Sequence, residues 1–505
     1  MKRKSKSIFQ KLILLTLAAV LVMTSVCAAD DVPYVTYNYD YWENVVYTPA
    51  AYIPDGKIEG TSIKDAEGNS IGAFSGPEDV YLAADGNIYI ADTKNNRIVV
   101  ISSEDYSYVS VITGFTDENG EWSEFNEPQG VCHSESPDGN LYIADTGNNR
   151  VVILDQDYEF VHVIQNPEQG DNVLEDGFIF APLKVIVDYA ERIYVIAKNT
   201  EEGIMIFNTD YQFEAFYGQI PVVVTTWQRI WYHLSTREQK DKQTLRISTE
   251  YNGLDVDPNG FIYASYLDEN GLQAVMRLNP KGNDVIKKGV NANIGGDIDI
   301  VETNSYSGKS TAVDVVYRDN GIYSFLDSKR GRIFTYDHEG NLLYIFGGLG
   351  VQEGCFQAPS SIEQNTNGQI MVADRNQNII LLFKPTEYGS LINEAVGLRF
   401  DGNEELAVPL WEEVLKLDAN FELAYIGLGK SYLSAGENKK AMEYLENGMS
   451  RQYYSIAYRR YRNEFLVENL EWMLSALAVL IVAVVVVKKI RNRKKYRDDS
   501  ADTLE

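Results

Sequence analysis

Tyr89-Ile90-Ala91-Asp92-Thr93-Lys94-Asn95-Asn96-Arg97 and Tyr142-Ile143-Ala144-Asp145-Thr146-Gly147-Asn148-Asn149-Arg150 are two copies of one pattern, 53 residues apart. Each reads as a short apolar strand, a turn and the start of a further strand. A period of this length marks a supersecondary unit that buries its apolar faces only against copies of itself.

Working outward, the unit recurs. Copies begin at Pro77, Pro128 and Pro182, near Asn252 and Ala312, and at Pro359. Five of the six tight turns carry Asp-Gly or Asn-Gly: Asp85-Gly86, Asp138-Gly139, Asn259-Gly260, Asn320-Gly321 and Asn367-Gly368. Ala190-Glu191 stands in the third. The dipeptide supplies the positive φ angles of a two-residue hairpin. The strands are β-branched and aromatic, as sheet residues are. Six antiparallel units of this kind close radially, so the expected fold is mainly β, a six-bladed β-propeller. The ring needs a seam, and residues 29–64, rich in tyrosine, are expected to add the outer strand of the last blade.

The loop into the last unit holds Phe346, Gly347, Gly348, Gly350, Gly354, Phe356 and Pro359, with shorter versions at Gly72, Phe74 and Pro77 and at Phe125, Asn126 and Pro128. With the repeated motif, this resembles the NHL-repeat family of β-propellers over about residues 65–385. The resemblance implies a range of roles. Some members bind proteins or RNA, others glycans or peptides, and a few are lyases or lactonases working in the central channel. The glycines at 347, 348 and 350 are not followed by Gly-Lys-Ser/Thr, so they read as a blade connector rather than a phosphate cradle.

Both ends are basic. Lys2, Arg3, Lys4, Lys6 and Lys11 precede or enter an apolar stretch ending at Val26-Cys27-Ala28, which reads as a signal peptide over residues 1–28. Val26 argues against lipidation of Cys27. Residues 472–487 carry no charge, and Lys488, Lys489, Arg491, Arg493, Lys494, Lys495 and Arg497 follow. Residues 470–487 are therefore expected to cross the cell membrane once. The basic tail, 488–505, would be cytoplasmic and the large N-terminal part extracellular. The formal net charge is −28, and between the two basic ends it reaches −36. Such a field repels phosphate backbones and disfavours nucleic acid. The three cysteines do not form a disulfide scaffold or a Cys-x-x-Cys metal motif.

Between the third and fourth units about 20 extra residues intervene. Within 221–242, Trp227, Ile230, Trp231 and Leu234 fall on one helical face. This insertion either packs on the propeller wall or forms a lid or docking element whose contacts would be Trp227, Trp231, Tyr232 and His233. Asp255-Val256-Asp257-Pro258-Asn259-Gly260 matches the first half of a calcium loop, with Asp255, Asp257 and Asn259 as ligands. It reads equally as a hairpin turn, and Tyr266 stands where the closing Glu would be. Only His133, His162, His233 and His338 are present, with no metal-ligand spacing.

After Pro385 the pattern becomes helical. Gly402/Gly436, Ala407/Ala441 and Trp411/Leu445 are each 34 apart, and Leu428-Gly429, Tyr432, Gly436 and Ala441 resemble tetratricopeptide (TPR) repeats over 386–450. Residues 451–469 read as a capping and linking helix that continues into the membrane. The function expected is a membrane-anchored extracellular scaffold for an envelope protein, a transporter, a glycan or a peptide, without a required cofactor. The competing class is a metal-dependent propeller hydrolase or lyase.

Overall fold

The computed structural model describes residues 32–134, 139–167, 178–198, 200, 202–219, 250–268, 271–289, 293–298 and 308–501. The expected helix at 221–242 lies outside the described residues.

Six antiparallel sheets form a closed ring. Their inner strands are Pro77–Leu82, Pro128–His133, Pro182–Val187, Tyr251–Val256, Ala312–Tyr317 and Pro359–Gln364. Each packs on the next, and the sixth packs on the first. Five blades have four strands, and blade four has three among the described residues. There, a single bridge from Leu278 to Asp284 stands where a fourth strand would lie.

The seam falls where the sequence placed it. Tyr52–Ile58 pairs antiparallel with Ile379–Pro385, from Tyr52 opposite Pro385 to Ile58 opposite Ile380. The start of the propeller thus supplies the outer strand of its last blade. The inter-blade cores explain why middle strands read as unbroken apolar runs. Ile98, Val99, Val100 and Ile101 are all fully buried because both sheet faces pack on neighbours.

The repeated motif has a local logic. Asp92 ends the second strand of blade one. Its Oδ1 accepts the Ser75 N–H of the incoming connector at 2.6 Å, and its Oδ2 accepts Arg97 Nε at 2.7 Å. Asp145, Asn126 and Arg150 repeat this at 2.7 and 2.7 Å. Thr93 and Thr146 donate to the carbonyls of Pro128 and Pro182, fastening each blade to the next. Asn96 and Asn149 take φ of 53° and 56°, the left-handed region that asparagine tolerates.

The hairpins correct one expectation. Their loops have three residues rather than two: Asp257 N–H bonds Phe261 O, and Gly260 N–H bonds Asp257 O. Such a loop needs positive φ mainly at its last residue. Gly86, Gly260 and Gly368 supply it, and Glu191 adopts 56° in blade three, so the missing glycine there is tolerated. The residue opening the loop accepts N–H bonds two and four positions on, as Asp188, Asp257 and Asn365 do.

Five helices follow: α1 (Glu387–Phe400), α2 (Glu404–Leu417), α3 (Glu422–Ser434), α4 (Asn438–Asn447) and α5 (Arg451–Ala501). The propeller with α1 and α2 is one compact unit, and α3 to α5 form a second. In the first, α1 packs on blade five, where Arg399 pairs with Glu339 at 2.9 Å. Arg318 is buried, and its partners are neutral: Gln364, Tyr344 and Tyr52. Tyr344 in turn donates to Asn393 of α1 at 2.6 Å. One guanidinium so ties blade five, blade six, the seam strand and α1. In the second unit, Gly429 of α3 lies where a Cβ would meet Leu445 of α4 at 2.5 Å, which explains the glycine. Ala457 of α5 packs there with Tyr453, Tyr454 and Ile456, whereas Tyr458 is exposed. Helix α5 is continuous and contains one candidate membrane span, with a mean hydropathy of 2.6 in its most apolar window.

Candidate functional site

The axis comes first, because channel chemistry would occur there. An innermost strand has no neighbour on its inner edge, so its N–H groups need other acceptors. Side chains supply them. Asp79 Oδ2 accepts from Val131 N at 3.0 Å, Asp314 Oδ2 from Ile362 N at 3.0 Å, Asp255 Oδ2 from Tyr317 N at 2.5 Å and Glu363 Oε2 from Leu82 N at 3.3 Å. Each carboxyl reaches from one blade to the next. Gly130 and Gly253 occupy the third position of their inner strands, where a Cβ would meet neighbouring backbone within 3 Å.

Lys184 crosses this axis. Its Nζ pairs with Asp79 and lies 3.2 Å from Asp314 Oδ2, while Ser361 Oγ sits between the carboxylates, 2.9 Å from Asp79 and 2.7 Å from Asp314, with one proton to donate to either. The two carboxylates hold the lysine pKa above its ordinary value despite its burial. Burial, together with Asp255 and Asp314, pushes the Glu363 carboxyl pKa well above its ordinary value. Lys184, Asp79, Asp314 and Ser361 thus form a buried charged cluster at the axis.

The calcium candidates are placed as follows. Asp257 Oδ1 accepts the N–H groups of Asn259 and Phe261, and its Oδ2 pairs with Arg277. Asp255 joins blades four and five. This is the hairpin-turn geometry, and among the described residues no three His, Cys, Asp or Glu side chains are grouped as a metal would need. His133 is buried with Nδ1 at 2.8 Å from the Ser134 carbonyl, His162 stacks on Tyr211, and His338 packs on Phe400 of α1. Burial lowers the His338 pKa. Trp227, Trp231, Tyr232 and His233 lie outside the described residues. Cys132 and Cys355 are buried free thiols.

The two faces of the ring differ. Loops joining first to second and third to fourth strands open on one face, and the chain leaves that face into α1. Connectors between blades, and loops joining second to third strands, open on the other. That connector face carries exposed apolar side chains: Trp122, Ile179, Leu267, Leu272 and Val351, the last 91% exposed. Tyr189 is exposed on the opposite face.

At the rim of the connector face, a hairpin of Tyr37–Tyr39 and Val45–Tyr47 packs on the outer strand of blade five, Leu342–Phe346. Between them is a cleft of about 470 Å³. Tyr34, Tyr37, Tyr39 and Tyr47 line it with Arg330 and Arg332. Asp297 forms its floor. Asp297 Oδ1 accepts the hydroxyls of Tyr37 and Tyr39, and Oδ2 accepts Arg332 Nη1 at 2.6 Å and forms an ion pair with Arg330, whose Nε lies 3.1 Å away. Sequence reasoning missed this cleft. The signal was the tyrosine density near residues 34–47, which was read wholly as seam.

Blade five also breaks the repeat's ion pair. Asp327 and Arg332 stand opposite each other, as Asp92 and Arg97 do in blade one. Yet Arg332 turns to Asp297, and Asp327 Oδ2 is buried without a hydrogen bond, with Arg330 Nη1 3.7 Å away. Burial pushes the Asp327 pKa to about 6. A carboxyl raised in the fold favours the protonated native state, so stability falls as pH rises from about 4 to about 6 and is then level. Asp327→Asn keeps the Oδ1 acceptor without the charge. It should therefore stabilise by about 1–2 kcal/mol at pH 8 and by little at pH 4, measured as the difference in Tm at the two pH values.

Residues 74–101 and 125–154 match the NHL repeat model. NHL repeat-containing protein 2 of Homo sapiens is 28% identical over 105 residues, covering 20% of this chain and 14% of that protein's length. Among solved structures, a streptogramin B lyase is 13% identical, covering 72% of this chain and 96% of its own, with a TM-score of 0.38. The virginiamycin B lyase from Staphylococcus aureus is 10% identical, covering 70% and 95%, with a TM-score of 0.36. An auxiliary nutrient binding protein from Bacteroides thetaiotaomicron is 12% identical, covering 62% and 69%, with a TM-score of 0.37.

Proposed function

We propose that this chain is a non-enzymatic interaction scaffold, held by α5 in the cell membrane with its propeller outside. In this reading the connector face docks a protein partner of the cell envelope, such as a transporter. The observation that carries it is the set of apolar side chains on that face, at Trp122, Ile179, Leu267, Leu272 and Val351. Exposed apolar side chains on one face can supply docking contacts, and aromatic anchors dominate interface energetics. The connector from blade three to blade four leaves Gly218 and re-enters at Tyr251 on the same face. Trp227, Trp231, Tyr232 and His233 of that connector are candidate partner contacts in this reading, from their residue types alone. The basic run after residue 487 argues for a cytoplasmic tail, and the helical hairpins α1/α2 and α3/α4 are TPR-like in this reading.

The axis favours this reading over channel catalysis, since its carboxyls already serve strand N–H groups and Lys184. The test is crosslinking in native membranes, comparing the wild type with the double variant Trp122→Asp/Leu272→Asp. Both sites are exposed, so Tm should stay within about 2 °C. Loss of a discrete crosslinked partner by tenfold or more is expected. An unchanged crosslinking pattern would sink the assignment of this face.

A further inference from the structure

The rim cleft of blade five differs in kind from the docking face, because its floor is charged and its walls are aromatic. In blades one and two, the arginine that opens the third strand serves the fold by pairing with the buried aspartate of its own blade. In blade five that structural bond is given up. Arg332 leaves Asp327 without a hydrogen bond at Oδ2 and enters the cleft instead. A broken local rule at a cavity points to a site where another interaction is served.

The chemistry of the cleft can be read from its free valences. Asp297 accepts two hydroxyls and the Arg332 Nη1 donor and is further neutralised by Arg330, so it is already engaged by its own neighbours. Arg332 uses only Nη1 among the described residues, toward Asp297 and Tyr37. Its Nε and Nη2 edge remains, a planar two-donor fork matched to a carboxylate. The floor therefore offers donors and asks a ligand for acceptors. Tyr34, Tyr39 and Tyr47 give flat apolar faces tipped with hydroxyls, and Tyr47 is 74% exposed. The volume suits one or two sugar-sized groups.

We propose that this cleft binds a carboxylate-bearing saccharide, a uronic acid unit, with its carboxylate on the Arg332 fork and its pyranose face on the tyrosines. The chain's negative charge does not forbid this, because fields from exposed charges are screened over about 8 Å at physiological ionic strength while the fork acts in contact. The inference is independent of the docking reading, since none of the residues changed in that test lines the cleft.

The test titrates the full-length protein in detergent with glucuronate, glucose and acetate, by calorimetry. Glucuronate should bind at least tenfold tighter than either control, because only it brings both the carboxylate and the ring. Arg332→Gln should weaken glucuronate at least tenfold and bring it to the level of glucose. Tyr47→Ala, which leaves the Arg332–Asp297 bond in place, should weaken glucuronate and glucose alike by several-fold. Equal affinities for glucuronate and glucose, absence of glucuronate binding, or unchanged affinity in both variants would overturn the proposal.

Discussion

Lys184→Met should cost about 3–5 kcal/mol, the range for removing one partner from a buried ion pair. Asp79 and Asp314 would face each other on the axis with only Ser361 between them. The loss should depend on pH with a definite sign. Burial already raises the Asp314 pKa, and without the lysine it should rise further above its unfolded value, so the native state takes up a proton that the unfolded chain releases. The deficit should therefore grow as pH rises from about 4 to about 7 and shrink in acid. Adding Asp314→Asn should recover part of the loss, because the remaining carboxylate no longer has a like charge beside it and the pair is coupled. Thermal melts of the three proteins at pH 5 and pH 8 measure this. An additive double variant, or a deficit independent of pH, would show that the axis is held by packing rather than by charge.

Removing residues 30–63 while keeping residues 1–29 should be at least as damaging. The seam strand buries Tyr52 and Ile58, and each such side chain is worth about 1.5–3 kcal/mol. Its loss also exposes the edge of Ile379–Pro385 and takes one of three hydrogen-bond partners from buried Arg318. A total of at least about 5 kcal/mol is expected, together with self-association through the open edge. The readouts are a Tm lowered by about 10 °C or more and a shift in size-exclusion elution. Tyr52→Phe separates the contributions. It keeps the strand and ring but deletes the hydroxyl that Arg318 and Asn393 bond, and should cost about 1–3 kcal/mol.

These two expectations show what could and could not be read in advance. The seam was legible because a ring of repeats must be closed, and only the residues before the first repeat could supply the missing strand. The lysine plug was not. Lys184 sits in an ordinary strand of blade three, and its partners Asp79 and Asp314 lie 105 and 130 residues away. Nothing local distinguishes it from a solvated strand residue. The calcium-like segment shows the reverse. Asp255-Val256-Asp257-Pro258-Asn259-Gly260 resembles a metal loop in one dimension, yet Asp257 is taken by its own hairpin and by Arg277, and Asp255 by blade five. Asp327 and Arg332 look in sequence like Asp92 and Arg97, and only the ring geometry separates them.

The sequence by itself determined the number of blades, the place of the seam, the helical region and the apolar span, because these depend on period, turn chemistry and hydrophobic length, all local properties of the chain. Only the folded ring reveals the charged cluster at the axis, the asymmetry of the two faces and the rim cleft. Each arises where residues hundreds of positions apart meet, and there the identity of the neighbour, not of the residue, sets what a charge or an aromatic ring can do.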